Sequence, residues 1–575
     1  MMSTKWLWEE LGLTNDFKID EVDSCYQQIK EKTAQNRLAW KVLRDKYYGS
    51  LYRLNPDLDL IEEAGFFEDT LSIDDSKNNN HYNLNLLSTT FGKLQRNIES
   101  LKSIKNGEIK PVVLLSTGGF YPIHEGHFHM MECAKEVLEQ NGYDVVGGYF
   151  APDHDSYVSK KPYQIHNVYK RIELCQKAVA DSDWLMIDKW PALYSKTMLN
   201  FTDILERLIQ YLHRYVLDTI QVAYVFGGDN ALFSYALANH ENVLSVCIDR
   251  QKDERFKKAK NQINAINCFF IENTSNTNHL SSRHLRKKYI SQTTTQKKGT
   301  YVVRNEGIRP LEKFFNKVNQ TTLKNAQSFF LSQFKDILLE AFEGEELNIK
   351  FENIEAQLEK TRKIVGESPV ISLDSYFIGT YNLEVSRQFD LSDLQLTYHE
   401  LVGRVGKEPL KEQVKHIPKG DYVLVDDDSV SGRTLKSVLE ALPNDVHIVN
   451  QYFLANDSYP DIIDVVDLRD FIVGAENGGL VCLLPHQKIA RVPYLQPYVS
   501  LSTRASISIE KEKLISFKLW RLNKQFYEKL STTILLKDVS LNFQTLMFEL
   551  GFKTTDSMIK ICKWHMDQLQ KTPLI

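Results

Sequence analysis

Residues 116–131 read STGGFYPIHEGHFHMM, with two adjacent glycines and three histidines and no strand or helix former at the centre of the turn. Immediately before it, PVVLLS (111–116) is a short apolar run of strand length, and after it GHFHMMECAKEVLEQ carries apolar residues at helical spacing. YDVVGGYFAP (143–152) then returns as a second strand. Strand, loop, helix and strand in this order make a parallel βαβ unit, in which the loop opens onto the positive end of the helix, where an anion is favoured. Gly118 and Gly119 let the backbone approach a phosphate closely, and Pro122 fixes the turn without needing a donor. His124 and His127 stand three residues apart at the helix entry, so both imidazoles can face one ligand and stabilise charge on a bridging phosphate. No acidic or cysteine partner nearby completes a metal set with His124, His127 and His129.

Outward from this loop the alternation continues through QVAYVFGGDN and NVLSVCIDR. A second strand–acid–helix passage, DYVLVDDDSVSGRT followed by LKSVLEAL, lies near residues 421–441. The expected fold class is α/β, with two Rossmann-like parallel-sheet domains and helical N- and C-terminal extensions. Five segments are expected: a helical module at 1–75, a linker at 76–107, a first α/β domain at 108–320, a second at 321–510, and C-terminal helices at 511–575. The polar run DDSKNNNHYN (74–83) motivates the linker, since nothing in it could bury against a core. The chain has 575 residues, 42% hydrophobic and 25% charged, with net charge -5. That balance gives no general attraction to nucleic acid or to an anionic membrane, so an anion site must be built locally. The seven cysteines show no metal-ligand spacing and read as reduced core residues. No apolar run approaches the roughly 20 residues that span a bilayer, and no secretory h-region follows Met1, so a cytoplasmic protein is expected.

GGFYPIHEGH resembles the GxFxPxHxxH signature of the nucleotidyltransferase superfamily, and HLSSRHLRKKY resembles its second signature, with Arg283 where threonine is usual. FAPDHDSYVSKKPY, DSDWLMIDKWPAL and VFGGDNALFSYAL narrow the likeness to nicotinamide mononucleotide adenylyltransferases, over roughly residues 110–320. The resemblance implies that Gly118, Gly119, Phe120 and His127 face ATP. It implies that Gly227 and Asp229 hold its ribose, and that Ser281, Ser282 and Arg286 hold the triphosphate. Trp190 would lie against the pyridine ring of nicotinamide mononucleotide and Tyr157 near it. Lys160 or Lys161 would meet phosphate. RQKDERFKKAKNQ reads as a solvated face, with Arg250 at its start able to reach the nucleotide. His124, His127, Lys160 and Arg286 are the catalytic candidates, with magnesium brought in by the substrates' phosphates and not by a protein cluster.

In YVLVDDDSVSGRT a buried strand ends in acids that point into a ligand crevice, and a small-residue loop then enters a helix. Adjacent carboxylates suit vicinal hydroxyls, and the loop suits a phosphate. This string resembles the phosphoribosyl pyrophosphate motif of type I phosphoribosyltransferases. It implies that Asp426 and Asp427 hold the ribose hydroxyls, as catalytic residues. The loop Asp428, Ser429, Val430, Ser431, Gly432, Arg433 and Thr434 would hold the 5′-phosphate. LRDFIVGAENGGL faintly resembles the base-binding segment of the hypoxanthine-type members, which puts Phe471 against a nucleobase. Arg387 is a candidate for the pyrophosphate side. WEELGL with AWKVLRDKYYGSLY faintly resembles a J-domain hairpin lacking its His-Pro-Asp, so a helical module docking a protein partner is the expectation for the N-terminus. Self-association is compatible with the sequence.

Together these imply a bifunctional salvage enzyme: adenylyl transfer from ATP to nicotinamide mononucleotide, plus phosphoribosyl transfer from phosphoribosyl pyrophosphate to a base. The rival expectations are an adenylyltransferase with a domain that only senses phosphoribosyl pyrophosphate, and a non-catalytic nucleotide-binding regulator. A CTP-using first domain is a further alternative.

Overall fold

The computed structural model describes residues 6–14, 17–49, 82, 84–106, 108–158, 168–195, 199–249, 253–272, 297–305, 317–391, 400–404, 406–429, 432–508 and 510–571. The chain divides into two compact units between Gln292 and Thr293. In the first unit, six strands form one sheet: β1 (Pro111–Gly118), β2 (Asp144–Pro152), β3 (Leu185–Ile187), β4 (Gln221–Gly227), β5 (Val243–Asp249) and β6 (Cys268–Glu272). Their order is β3-β2-β1-β4-β5-β6, and every pairing is parallel. β1 and β2 are buried along nearly their whole lengths, which is why they read as unbroken apolar runs and not as alternating ones. Val112, Leu114, Phe150, Val225 and Val246 share the core with Met131, Ala134 and Leu138 of helix Glu125–Gln140.

The expected linker is corrected over its described part. Helix Gly92–Ile104 lies against the sheet closely enough that a Cβ on Gly147 would fall 2.2 Å from Leu94 Cδ2. Several polar side chains of residues 84–104 find partners inside the unit. Buried Lys93 donates to the carbonyls of Val179 (3.1 Å) and Leu185 (2.9 Å). Thr89 donates to Asp188 at 2.7 Å, and Arg207, wholly buried, reaches both Thr89 (2.6 Å) and Asp188 (3.3 Å). The N-terminal helices, among them Ile19–Gln28 and Ala34–Arg44, belong to the same unit: Thr202 donates to Asp45 at 2.5 Å, and Lys46 pairs with Glu206 at 3.1 Å.

The second unit holds β7 (Lys298–Asn305), β8 (Glu346–Asn353), β9 (Val370–Ser372), β10 (Tyr381–Asn382), β11 (Val385–Asp390), β12 (Glu400–Gly403), β13 (Gly420–Asp426), β14 (Val446–Phe453), β15 (Ile462–Asp467), β16 (Leu480–Leu483) and β17 (Ile489–Val492). They form a parallel sheet β10-β9-β13-β14, a mixed sheet β12-β11-β16-β17 and a parallel sheet β15-β7-β8. Because β7 pairs with β8 and β15, the division falls before residue 298, not at 320. The fold class is α/β with several Rossmann-like parallel sheets, as expected.

Helices Glu512–Glu528, Leu541–Glu549 and Met558–Lys571 occupy the expected C-terminal span, but the first is core and not an appendage. Trp520, fully buried, donates to the carbonyl of Gln496 (2.8 Å), and Asn523 accepts from the amide of Val473 (2.8 Å) while donating to the carbonyl of Phe471 (2.8 Å). Among the described residues no helix is long and apolar enough to cross a membrane.

Candidate functional site

In a sheet of order 3-2-1-4-5-6, strand order reverses between β1 and β4, and a crevice opens at their carboxyl ends. β1 ends at Gly118 and β4 at Gly227, so the GGFYPIHEGH loop and the GGDN turn meet at this point. A hydrogen bond between the hydroxyls of Thr117 and Tyr224 (2.7 Å) ties the two strand ends together. The Gly118 carbonyl accepts from the amide of Asp153 at 2.9 Å, which brings the end of β2 to the same edge. Tyr157 sits half-buried in the short helix Asp155–Val158, and Asp229 is exposed in the turn after β4.

The histidines are held by the helix they introduce. His124 is the N-cap of Glu125–Gln140: its Nδ1 accepts from the Gly126 amide (3.1 Å), and His127 Nδ1 accepts from the His124 amide (3.2 Å). This reciprocal cap satisfies two of the orphan donors at the helix start. A neutral imidazole whose Nδ1 accepts carries its proton on Nε2, so the cap makes both rings Nε2–H donors. The two rings lie 3.9 Å apart between centroids, tilted by 34°. Their chemistry is therefore donation to an oxyanion, and their basic nitrogens are already occupied by the backbone.

Phe120 has φ of 40°, in the left-handed region that a bulky residue seldom adopts. Its ring turns inward, edge-on to His127 (5.1 Å) and Phe150 (5.3 Å), so only its backbone is placed to face a ligand. Arg171, missed in the sequence, fastens this loop. Its side chain is fully buried and donates to the carbonyls of Gly119 (3.0 Å) and Asp153 (2.6 Å) and to Asp155 (2.9 Å). Nothing local marks it, because its partners lie 16 to 52 residues away.

Trp190 is corrected: it is 1% exposed, with Tyr82 edge-on at 5.8 Å and the Arg207 guanidinium 5.0 Å over its ring. The amphipathic tryptophan at a strand end is core here, and its faces are covered by protein. Lys160, Lys161, Arg250, Ser281, Ser282 and Arg286 lie outside the described residues, as do Val430 and Ser431 and the side chain of Arg433.

Residues 115–288 match the cytidylyltransferase-like family. Part of the chain is similar to curated mononucleotide adenylyltransferases. It is 43% identical over 96 residues to a nicotinamide/nicotinic acid mononucleotide adenylyltransferase 2 of Danio rerio, covering 16% of this chain and 30% of that protein. It is 29% identical over 206 residues to a nicotinamide/nicotinic acid mononucleotide adenylyltransferase of Arabidopsis thaliana, covering 33% of this chain and 85% of that one. The Oryza sativa counterpart is 38% identical over 89 residues, which is 34% of its length. The chain thus spans about a third of the zebrafish and rice relatives. The residues that match the family model lie in the first unit.

The second unit has a cleft of its own, about 190 Å³, where strands from its three sheets end. From β7, buried Arg304 donates to Asp374 (3.0 Å), just past β9, and to Asp427 (3.3 Å), just past β13. Gly432 precedes helix Arg433–Ala441 with φ of 65°, a conformation that favours glycine. Arg387 on β11, Arg404 after β12 and Arg491 on β17, all from the mixed sheet, line the same cleft.

Like charges crowd the cleft. Burial and then Asp427 push the Asp426 carboxyl well up and Asp428 up to about 7, and burial with Asp467 pushes Asp470 up to about 6. Burial and then Arg469 pull Arg491 down to about 10 and lower Arg404, while burial and then Arg504 lower Arg387. Phe471 does not line this cleft. It is 0% exposed, packed on Phe334 (5.0 Å) and Tyr494 (5.8 Å), which corrects the base-stacking expectation.

Proposed function

We propose that the cytidylyltransferase-like domain transfers the adenylyl group of ATP to nicotinamide or nicotinic acid mononucleotide, giving the dinucleotide and pyrophosphate. The observation that carries this reading is the glycine loop and capped histidine pair at the β1/β4 switch point, within the residues 115–288 that match the cytidylyltransferase-like family, and the chain's similarity to mononucleotide adenylyltransferases supports it. A mononucleotide phosphate, with its second pKa near about 6, is anionic at neutral pH and needs no side-chain base. One of its oxygens attacks the α-phosphorus of ATP, a P–O bond forms, and the bond to the β-phosphate bridging oxygen breaks with pyrophosphate leaving. The protein aligns the two nucleotides and neutralises charge. In this reading the loop backbone from Gly118 to Phe120 lies along the triphosphate, and the Nε2–H groups of His124 and His127 donate to its oxygens. Gly227 and Asp229 receive the ribose, and Tyr157 lies on the mononucleotide side. Lys160, Ser281, Ser282 and Arg286 complete the phosphate contacts. ATP enters as its magnesium complex, so the ion comes with the substrate.

The test is to supply nicotinamide mononucleotide with magnesium and either ATP or CTP, and to separate the products chromatographically. NAD and pyrophosphate in equal amounts with ATP alone support the reading. A product with CTP only, or none with either, sinks it.

For the second unit we infer a phosphoribosyl pyrophosphate site, with Asp426 and Asp427 on the ribose hydroxyls and the loop to Thr434 on the 5′-phosphate. What favours it is the position of the acids at the carboxyl end of a buried parallel strand, followed by the left-handed Gly432 and a helix. Base-dependent release of pyrophosphate would make it a transferase; binding without turnover would make it a sensor.

A further inference from the structure

We infer that Thr117 and Tyr224 form a hydroxyl pair that serves the nucleotide of the first unit: Tyr224 is a positioning residue, and the Thr117 hydroxyl that it directs donates to a phosphate oxygen of the bound nucleoside triphosphate. The inference deepens, and rests on, the reading of the β1/β4 crevice as a triphosphate site.

Tyr224 is the β4 partner of Leu115, and Thr117 lies two residues beyond Leu115 on β1, so all three side chains share one face of the sheet. The tyrosine leans along the strand to meet the threonine, hydroxyl to hydroxyl, at 2.7 Å. Its direction is fixed by packing. Tyr224 is 2% exposed, its ring stacks on Phe201 (4.7 Å between centroids, 22°), and Phe201 stacks in turn on Phe233 (4.2 Å, 25°). Burial pushes its hydroxyl well above the ordinary tyrosine range, so at neutral pH the group is an O–H and not a phenolate. Thr117, by contrast, is half-buried, and it is the residue immediately before Gly118, where the strand gives way to the glycine loop.

Counting hydrogens shows what the pair has to offer. Two hydroxyls carry two hydrogens, and their mutual bond uses one. Among the described residues neither hydroxyl makes a second hydrogen bond, so one hydrogen is left over. On Tyr224 it would be buried without an acceptor, which is costly. Tyr224 therefore gives its own hydrogen to Thr117, and the spare one belongs to the threonine, at the accessible end of the pair. A hydroxyl whose oxygen already accepts a hydrogen bond is polarised into a better donor. It stands where the loop backbone begins, so the strand itself adds a side-chain donor to the loop amides and the histidine Nε2–H groups, and a donor in that company suits an oxyanion.

The experiment is calorimetric titration of the full chain with magnesium ATP, alongside steady-state adenylyl transfer to nicotinamide mononucleotide, for Thr117→Val, Thr117→Ser, Tyr224→Phe and the double variant Thr117→Val with Tyr224→Phe. Valine keeps the β-branched shape and phenylalanine keeps the ring stack, so only hydroxyls are lost; urea unfolding confirms that each variant folds. Losing a hydrogen bond to a charged oxygen should weaken magnesium ATP by about 10- to 100-fold in Thr117→Val, with the KM for ATP rising in step, and Thr117→Ser should restore binding to within about 3-fold of wild type. Tyr224→Phe leaves the donor but frees its rotation, and should cost about 3- to 10-fold. Because the tyrosine acts only through the threonine, the double variant should bind within about 2-fold of Thr117→Val alone. Three results would overturn the inference: wild-type affinity in Thr117→Val, a serine variant as weak as the valine one, or single losses that multiply in the double variant. Threonine-dependent binding of magnesium ATP without transfer to nicotinamide mononucleotide would leave the pair standing and sink the adenylyl reading. Transfer indifferent to Thr117→Val would do the reverse, and a wild-type chain that binds no magnesium ATP would sink both.

Discussion

Replacing Arg171 by methionine should loosen the nucleotide loop without touching a ligand. The substitution keeps much of the apolar stem and removes the donors that reach Gly119 and Asp153. Each partly buried carbonyl deprived of its donor costs about 1–3 kcal/mol, and partial access to water keeps the pair toward the lower end, about 2–4 kcal/mol. Asp155 is 44% exposed on its side chain and adds little, since water replaces its partner. If the loss falls on local opening, amide exchange of residues 119–127 and 153–158 should quicken by about 30- to 1,000-fold. Hydrogen–deuterium exchange with mass spectrometry reads this directly, and the KM for ATP should rise with it. Exchange at the wild-type rate, together with an unchanged KM, would refute the claim that Arg171 fastens the loop.

The histidine cap gives a second expectation: His124→Ala should cost about 0.5–2 kcal/mol in urea unfolding and His124→Asn much less, because asparagine also caps. Equal losses would contradict a capping role. Arg207→Met, which strands buried Asp188, should cost about 3–5 kcal/mol, and a thermal midpoint within a degree or two of wild type would refute the anchoring of residues 88–104. In the second unit, Asp428 is faced by Asp427, Asp464, Arg387 and Arg504, and its folded-state carboxyl titrates at about 7, above the unfolded value. Between about pH 4 and 7 the folded state then holds a proton that the unfolded chain has released, so ligand-free stability falls as pH rises through that window. Urea midpoints at pH 5 and 7.5 should fall, and Asp428→Asn should flatten the slope; a slope unchanged by the variant would count against the assignment.

The first sheet was legible in the sequence because β1, β2, β4 and β5 are buried along nearly their whole lengths and the glycine–histidine loop lies in one continuous stretch. The same holds for β13 with its acids. What the sequence concealed depends on contacts distant in the chain. Lys93 and Thr89 look like surface residues until the carbonyls and the carboxylate that satisfy them are in place, 86 and 99 residues further on. Trp190 and Phe471 have the residue types of a stacking site, but whether a ring is a platform or core is decided by what covers it: Tyr82 and Arg207 in one case, Phe334 and Tyr494 in the other. The arginines of the second unit's cleft are harder still to foresee, since Arg387, Arg404 and Arg491 come from three different strands or strand ends and share no motif.

The most direct test of adenylyl transfer uses nicotinamide mononucleotide labelled with oxygen-18 in its phosphate. Attack on the α-phosphorus of ATP carries the label into NAD, including its bridging oxygen, and leaves the released pyrophosphate unlabelled. Label in pyrophosphate, or ATP consumed with no labelled dinucleotide formed, would contradict the chemistry assigned to the loop at Gly118.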